Sequence, residues 1–264
     1  MITVRKSEER NHTEKKEQKS WMTFDSENKA DVLQKGFGVL KILNEEILSP
    51  GSGFILHTKQ NLIIITYVLD GVVIYKGPLA EPDFMEAKDF HQVNVSPDTK
   101  QYAFNVSQSE DAHIFQCGFA IKEPDSSAPA IPLKEVGIKK LFTHAERQGV
   151  LRLIASLDGK DASLPIDQDV QMYSTYIHKG NHVIHELGAG RTSWLHVVKG
   201  QIRLNNLYLQ TGDGAGFSDE RSVSFTAEKP SEILLFDLCG KIPEELKTIL
   251  TSKSKIADLV EVPA

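Results

Sequence analysis

Short β-branched runs that break at glycine occur twice in this chain, in the same order and at nearly the same spacing. LIIITYVL (Leu62 to Leu69) leads through Asp70-Gly71 into VVIY (Val72 to Tyr75), and WLHVV (Trp194 to Val198) leads through Lys199-Gly200 into QIRL (Gln201 to Leu204). A glycine pair of this kind between β-rich runs signals a hairpin, because both central residues of a type I′ turn need φ > 0. Outward from Gly71 and Gly200 the match continues: His57 stands before the first glycine at almost the same remove as His185 before the second. Downstream, Lys88-Asp89 and Gly212-Asp213 occupy equivalent turns, and both halves close on apolar runs, HIFQCGFAI (His113 to Ile121) and SEILLFDL (Ser231 to Leu238). A β domain duplicated in tandem, each copy a small sandwich or barrel, is the simplest fold with this pattern.

A chain of 264 residues accommodates two such domains, and 40% apolar with 25% charged residues is an ordinary globular composition. The spacing divides it into 1–130, 131–240 and a tail, 241–264. Helical signals are few. Pro132 to Gly149 covers the junction of the halves, and Pro243 to Val260 opens on Pro and two Glu with Leu246, Ile249 and Leu250 on one face, which predicts a C-terminal helix.

The net charge of −6 argues against a nucleic-acid partner, and the basic residues near the start (Lys15, Lys16, Lys19) alternate with Glu14 and Glu17. The longest apolar run stops at Thr66, well short of a membrane span. The stretch from Met1 to Ser20 contains no apolar signal-peptide core, and two cysteines, Cys117 and Cys239, build no disulfide framework. These features predict a cytoplasmic protein. No P-loop, GxGxxG turn or Ser-His-Asp order stands in a supporting context.

A metal inside a β barrel needs side chains converging at about 2.0–2.2 Å, which an H-x-H alternation on one strand face delivers. At the second position after His57 stands Lys59 instead. In the second half His185 and Glu186 are adjacent and face opposite sides of a strand, while His178 and His182 flank Gly180; all three histidines are expected at the surface or with one hydrogen bond.

VRKSEERNHTEKKEQKSWMTF near the start, FGVLKILNEEILSPGSGFILH, ITYVLDG and HIFQCGFAI follow one another as in the pirin family, and HVVKG and ILLFDL extend the match to about residue 240. The chain resembles the short bacterial pirins associated with quercetin 2,3-dioxygenase activity. The resemblance implies an all-β fold of two tandem cupin domains with few short helices, and a site in the first domain for Fe, Ni, Cu or Mn. The family's H-P-H, with an acid following it on the strand, reads His57-Thr58-Lys59 here with Ile63 at the acid. Its AGxGIxHSE aligns with VSPDTKQYA (Val95 to Ala103), which puts Gln101 at the third His and Ala103 at the Glu. Of the four ligand positions His57, Lys59, Gln101 and Ala103, only His57 keeps a ligand, and the Lys59 ammonium would repel a divalent cation. No resident metal is therefore expected. Three functions follow. The first is a non-catalytic bicupin holding a small molecule in a pocket of His57, Lys59, Gln101 and Tyr102, with Lys59 turned inward in place of the metal or, on the plainer reading, reaching out to solvent. The second is a metal-dependent quercetinase. The third is a regulatory protein acting through a protein partner.

Overall fold

The structure is a computed structural model that describes residues 1–25, 27–56, 58–77, 82–97, 100–121 and 137–240. An N-terminal strand, β1 (Ile2–Arg5), is followed by β2 (Asn11–Lys15) and β3 (Gln18–Met22). Eight strands then form a first barrel: β4 (Leu40–Leu48), β5 (Gly53–Leu56), β6 (Leu62–Asp70), β7 (Val72–Lys76), β8 (Asp83–Glu86), β9 (Asp89–Val95), β10 (Gln101–Asn105) and β11 (Ala112–Ala120). The connection to the second half carries β12 (Ile138–Leu141), the one-turn helix α1 (His144–Arg147), β13 (Arg152–Ser156) and β14 (Leu164–Pro165). Eight more strands form a second barrel: β15 (Val170–Ile177), β16 (His182–Glu186), β17 (Thr192–Lys199), β18 (Gln201–Leu204), β19 (Leu207–Gln210), β20 (Gly214–Ser218), β21 (Ser222–Ala227) and β22 (Ser231–Leu238).

The duplication read from the sequence holds strand for strand. The first barrel pairs in the orders β9-β6-β11-β4 and β5-β10-β7-β8, and the second in β20-β17-β22-β15 and β16-β21-β18-β19. The two glycine turns do not make hairpins, however. β6 and β7 belong to different sheets, as do β17 and β18, so Gly71 and Gly200 are corners at which the chain changes sheet. Only the glycine has positive φ at each corner, +82° and +97°, rather than both central residues as a type I′ turn requires. A side chain at either position would also meet backbone: a Cβ on Gly71 would lie 2.7 Å from Asp111 O, and one on Gly200 2.4 Å from Pro230 O.

Two edge strands depart from the sequence division. β1 pairs antiparallel with β20 and so caps the second barrel, although it precedes the first. β12, placed in the second domain by the 131–240 boundary, pairs with β9 of the first barrel. The described part of the helical stretch expected from Pro132 contributes β12 and the single turn of α1, which Thr143 caps through its own side chain and Glu146. The expected C-terminal helix, Pro243 to Val260, lies outside the described residues.

Strand alternation sorts the apolar residues into three cores. One fills the first barrel (Leu48, Ile64, Val68, Val73, Val93, Ile114) and one the second (Leu195, Val197, Ile202, Phe217, Phe225, Leu235). The third joins them, with Tyr67, Phe90, Phe115 and Phe119 from one half against Trp194, Leu234 and Phe236 from the other. A buried ionic node sits within this junction. The Tyr67 hydroxyl donates to Glu232 Oε1 at 2.6 Å, and Arg147 Nη1 donates to the same oxygen at 3.0 Å and to Ser174 Oγ at 3.1 Å. Its Nη2 reaches the Tyr176 hydroxyl at 3.0 Å, so the guanidinium is both paired and stacked among rings. No helix among the described residues is long and apolar enough to cross a membrane.

Candidate functional site

β10 alternates strictly, with Gln101, Ala103 and Asn105 buried and Tyr102 and Phe104 exposed. Gln101 and Ala103 therefore face the interior of the first barrel, and Tyr102 points away from it. Lys59, in the bend after β5, is exposed, so its ammonium stays with water and does not stand in for a cation inside. His57 lies outside the described residues. The pocket expected from His57, Lys59, Gln101 and Tyr102 is thus represented inside the barrel by Gln101 alone among the described residues.

The interior holds other polar groups that the motif search passed over. Thr66 on β6 is the register partner of Gln116 on β11 and of His91 on β9, so the three side chains form a row on one inner face. The His91 ring packs against the Tyr75 ring at 4.7 Å from the facing sheet. Gln101 closes the set: its Nε2 donates to Asn94 O at 3.3 Å while its Oε1 points inward. All five side chains are buried. Thr66 Oγ1, Tyr75 OH, His91 Nδ1, Gln101 Oε1 and Gln116 Nε2 find no hydrogen-bond partner among the described residues. Burial pushes the His91 imidazole down to about 4 and the Tyr75 phenol up, so both are neutral near pH 7. The result is a set of buried polar side chains, each with one polar atom unpaired, in an otherwise aliphatic barrel. Buried polar groups left unpaired cost about 1–3 kcal/mol each, which makes such a cluster a place where a polar guest is expected.

The second barrel settles its inner polarity internally. His185 Nε2 lies 2.9 Å from Asp237 Oδ2, the Arg191 Nε donates to Asp237 Oδ1, and Arg191 Nη1 meets Asp169 at 2.9 Å. His185 is half-buried and makes one hydrogen bond, to Asp237, within the range expected of it. Glu186 faces out, as adjacency on a strand requires. His178 and His182 are exposed and bonded to Gln148 and to Thr226 and Ser224. A cavity of about 420 Å³ opens over this end, lined by Leu187 to Thr192 and Ser218 to Arg221.

Residues 153–238 match the family model for the quercetinase C-terminal cupin domain. Over 240 residues the chain is 30% identical to the quercetin 2,3-dioxygenase of Escherichia coli strain K12, covering 90% of this chain and 99% of that one. It is 28% identical over 204 residues to a pirin-like protein of Caulobacter vibrioides, covering 76% of this chain and 84% of that one. The chain belongs to the pirin family. Its fold superposes on the bacterial pirin YhhW from Escherichia coli, solved in complex with nickel(II), with a TM-score of 0.79 and 28% identity over 91% of this chain and all of that one. The tandem cupin architecture implied by the sequence is the one found.

The metal of that pirin relative does not fit the donor set here. Ala103 carries no donor, Lys59 is a cation, and Gln101 offers a neutral amide where an imidazole is required. Among the described residues no three His, Cys, Asp or Glu side chains converge on a point. The strongest signal for the groups the motif search missed is polarity inside runs that are otherwise apolar on the same face: Thr66 in LIIITYVL, His91 in DFHQVNV and Gln116 in HIFQCGF.

Proposed function

We propose that this pirin-family bicupin binds a small uncharged molecule in its first barrel and does so without a resident transition metal. The observation that carries the reading is the row of buried, unpaired Thr66, His91 and Gln116 with Tyr75 and Gln101 opposite. The class of ligand follows from the groups. Lys139, the register partner of His91 at the end of that row, is paired with Asp83 at 2.9 Å, so an ion in the row would find no unmatched charge there. Tyr75 and His91 offer flat faces, and Gln116, Thr66 and Tyr75 offer donors, which suits a planar molecule bearing carbonyl or hydroxyl oxygens. Flavonols are such molecules, and quercetin is the compound in the name of the 30% identical relative.

Binding in this reading is not coupled to oxidation. We place the protein in the cytoplasm, in keeping with Cys117 and Cys239 standing outside any disulfide, and we assign no nucleic-acid or membrane partner; a protein partner would make the role regulatory. The second reading, a metal-dependent quercetin 2,3-dioxygenase, is favoured by the relatives' names and by the nickel-bound pirin. Thermal shift across a panel of neutral planar phenols, quercetin included, separates the two. Metal-independent stabilisation of the wild type that Gln116→Leu abolishes supports binding. No shift with any compound, or consumption of quercetin that depends on added metal, overturns it.

A further inference from the structure

The outer face of the β5-β10-β7-β8 sheet carries large apolar side chains on two neighbouring rows. Ile55 is 45% exposed, Tyr102 41%, Phe104 44% and Phe84 56%. Register places Phe104 beside Ile74 and Ile74 beside Phe84, so these three form one row across the sheet, with Tyr102 and Ile55 in the next. On the second barrel the edges of the matching face also expose apolar side chains, Ile184 and Tyr208, but its central strand β21 presents Ser224 and Thr226 in the place of Tyr102 and Phe104. The two barrels differ at the centre of this face, which is hydroxylated in the second and aromatic in the first.

We propose that this face is a homodimer interface that pairs isologously with the same face of a second copy. The charges at its ends select this occupant. Lys76 sits beyond Ile74 on the same face of β7, in the row of Tyr102, and Glu86 stands opposite Val72, in the row on the other side of the Phe104–Ile74–Phe84 line. Both are exposed and neither forms an ion pair with another described residue. A two-fold axis along the Phe104–Ile74–Phe84 row lays each aromatic against its own copy and turns the Lys76 row onto the Glu86 row. Each Lys76 then meets the partner's Glu86, giving two symmetric ion pairs around an apolar centre. The arrangement is indifferent to what the barrel binds.

Sedimentation velocity on the full chain across about 1–200 μM tests it. The wild type is expected to dimerise in that range. Phe104→Ser, on a solvent-facing strand position where the second barrel carries a hydroxyl residue, Thr226, is expected to sediment as a monomer throughout. Lys76→Glu is expected to weaken the dimer ~10-fold or more by placing like charges together, and Lys76→Glu with Glu86→Lys to restore it to within about threefold. A wild type that remains monomeric at the top of the range overturns the proposal. So does a dimer that Phe104→Ser leaves intact, which would use another face, or a charge swap that fails to rescue. Circular dichroism of each variant separates loss of pairing from loss of fold.

Discussion

In the second barrel the polar side chain that turns inward from β16, His185, meets the Asp237 carboxylate, and Arg191 completes the charge balance. In the first barrel Thr66 of β6, His91 of β9 and Gln116 of β11 each keep a buried polar atom without a hydrogen-bond partner among the described residues. The strand order, the sheet corners and the positive-φ turns at Lys88 and Gly212 are the same in both. Fold therefore does not account for the difference; a few side chains do. One scaffold can pair its inward polar groups in one copy and leave them unpaired in the other.

The largest effect is expected where the barrels meet. Arg147→Met leaves the buried Glu232 carboxylate without its counter-charge, and urea denaturation should show a loss of about 3–5 kcal/mol. Arg147→Met combined with Glu232→Met should recover a substantial part of it, because the uncompensated charge is gone. If the double variant is no better than the single one, the node stabilises by packing instead.

Acid should sharpen the contrast next. The His91 imidazole is held at about 4 in the folded state, against about 6.5 in an unfolded chain. As pH falls through this window the unfolded state takes up a proton that the folded state refuses, so stability is lost on going down from about 6.5 to 4, by about 3 kcal/mol in all. His196, buried in the junction and held at about 3, acts in the same direction. His91→Phe should flatten this part of the stability profile measured by chemical denaturation between pH 7 and 4. An unchanged slope would remove His91 from the buried interior.

Within the barrels the two kinds of polarity predict opposite signs. Asp237→Ala should cost roughly 2 kcal/mol, since it leaves Arg191 and His185 beside an empty position. Thr66→Val, nearly isosteric and removing an unpaired hydroxyl, should be neutral or stabilising by up to about 1 kcal/mol in the absence of ligand. A clear destabilisation by Thr66→Val would mean that its hydroxyl is already satisfied within the barrel.

The tandem fold was legible because β-branched runs, glycine corners and the regular spacing of Gly71 and Gly200 within their halves are local signals that survive in one sequence. The nature of the corners was not. A glycine between two β-rich runs looks the same whether the flanking strands pair or pass to opposite sheets, and only long-range register distinguishes them. For the same reason nothing in Ile2 to Arg5 announced that it would cross to Phe217 and Gly214. Of the positions named from the resemblance, Gln101 and Ala103 face the barrel interior and Lys59 does not. The buried polar side chains Thr66, Tyr75, His91 and Gln116 were hidden because their neighbours lie across strands far apart in sequence, as Thr66 and Gln116 do.

The proposal that the first barrel works without a resident metal is tested by the metal content of the purified, untagged protein. The protein would be produced with iron, nickel, copper and manganese supplied, then analysed by elemental mass spectrometry beside a Lys59→His, Gln101→His, Ala103→Glu variant. The account predicts well under one-tenth of an equivalent of any transition metal in the wild type. It predicts a rise toward one equivalent in the variant, where converging imidazole and carboxylate ligands are restored. Near-stoichiometric metal in the wild type would contradict it and return the protein to the oxygenase reading.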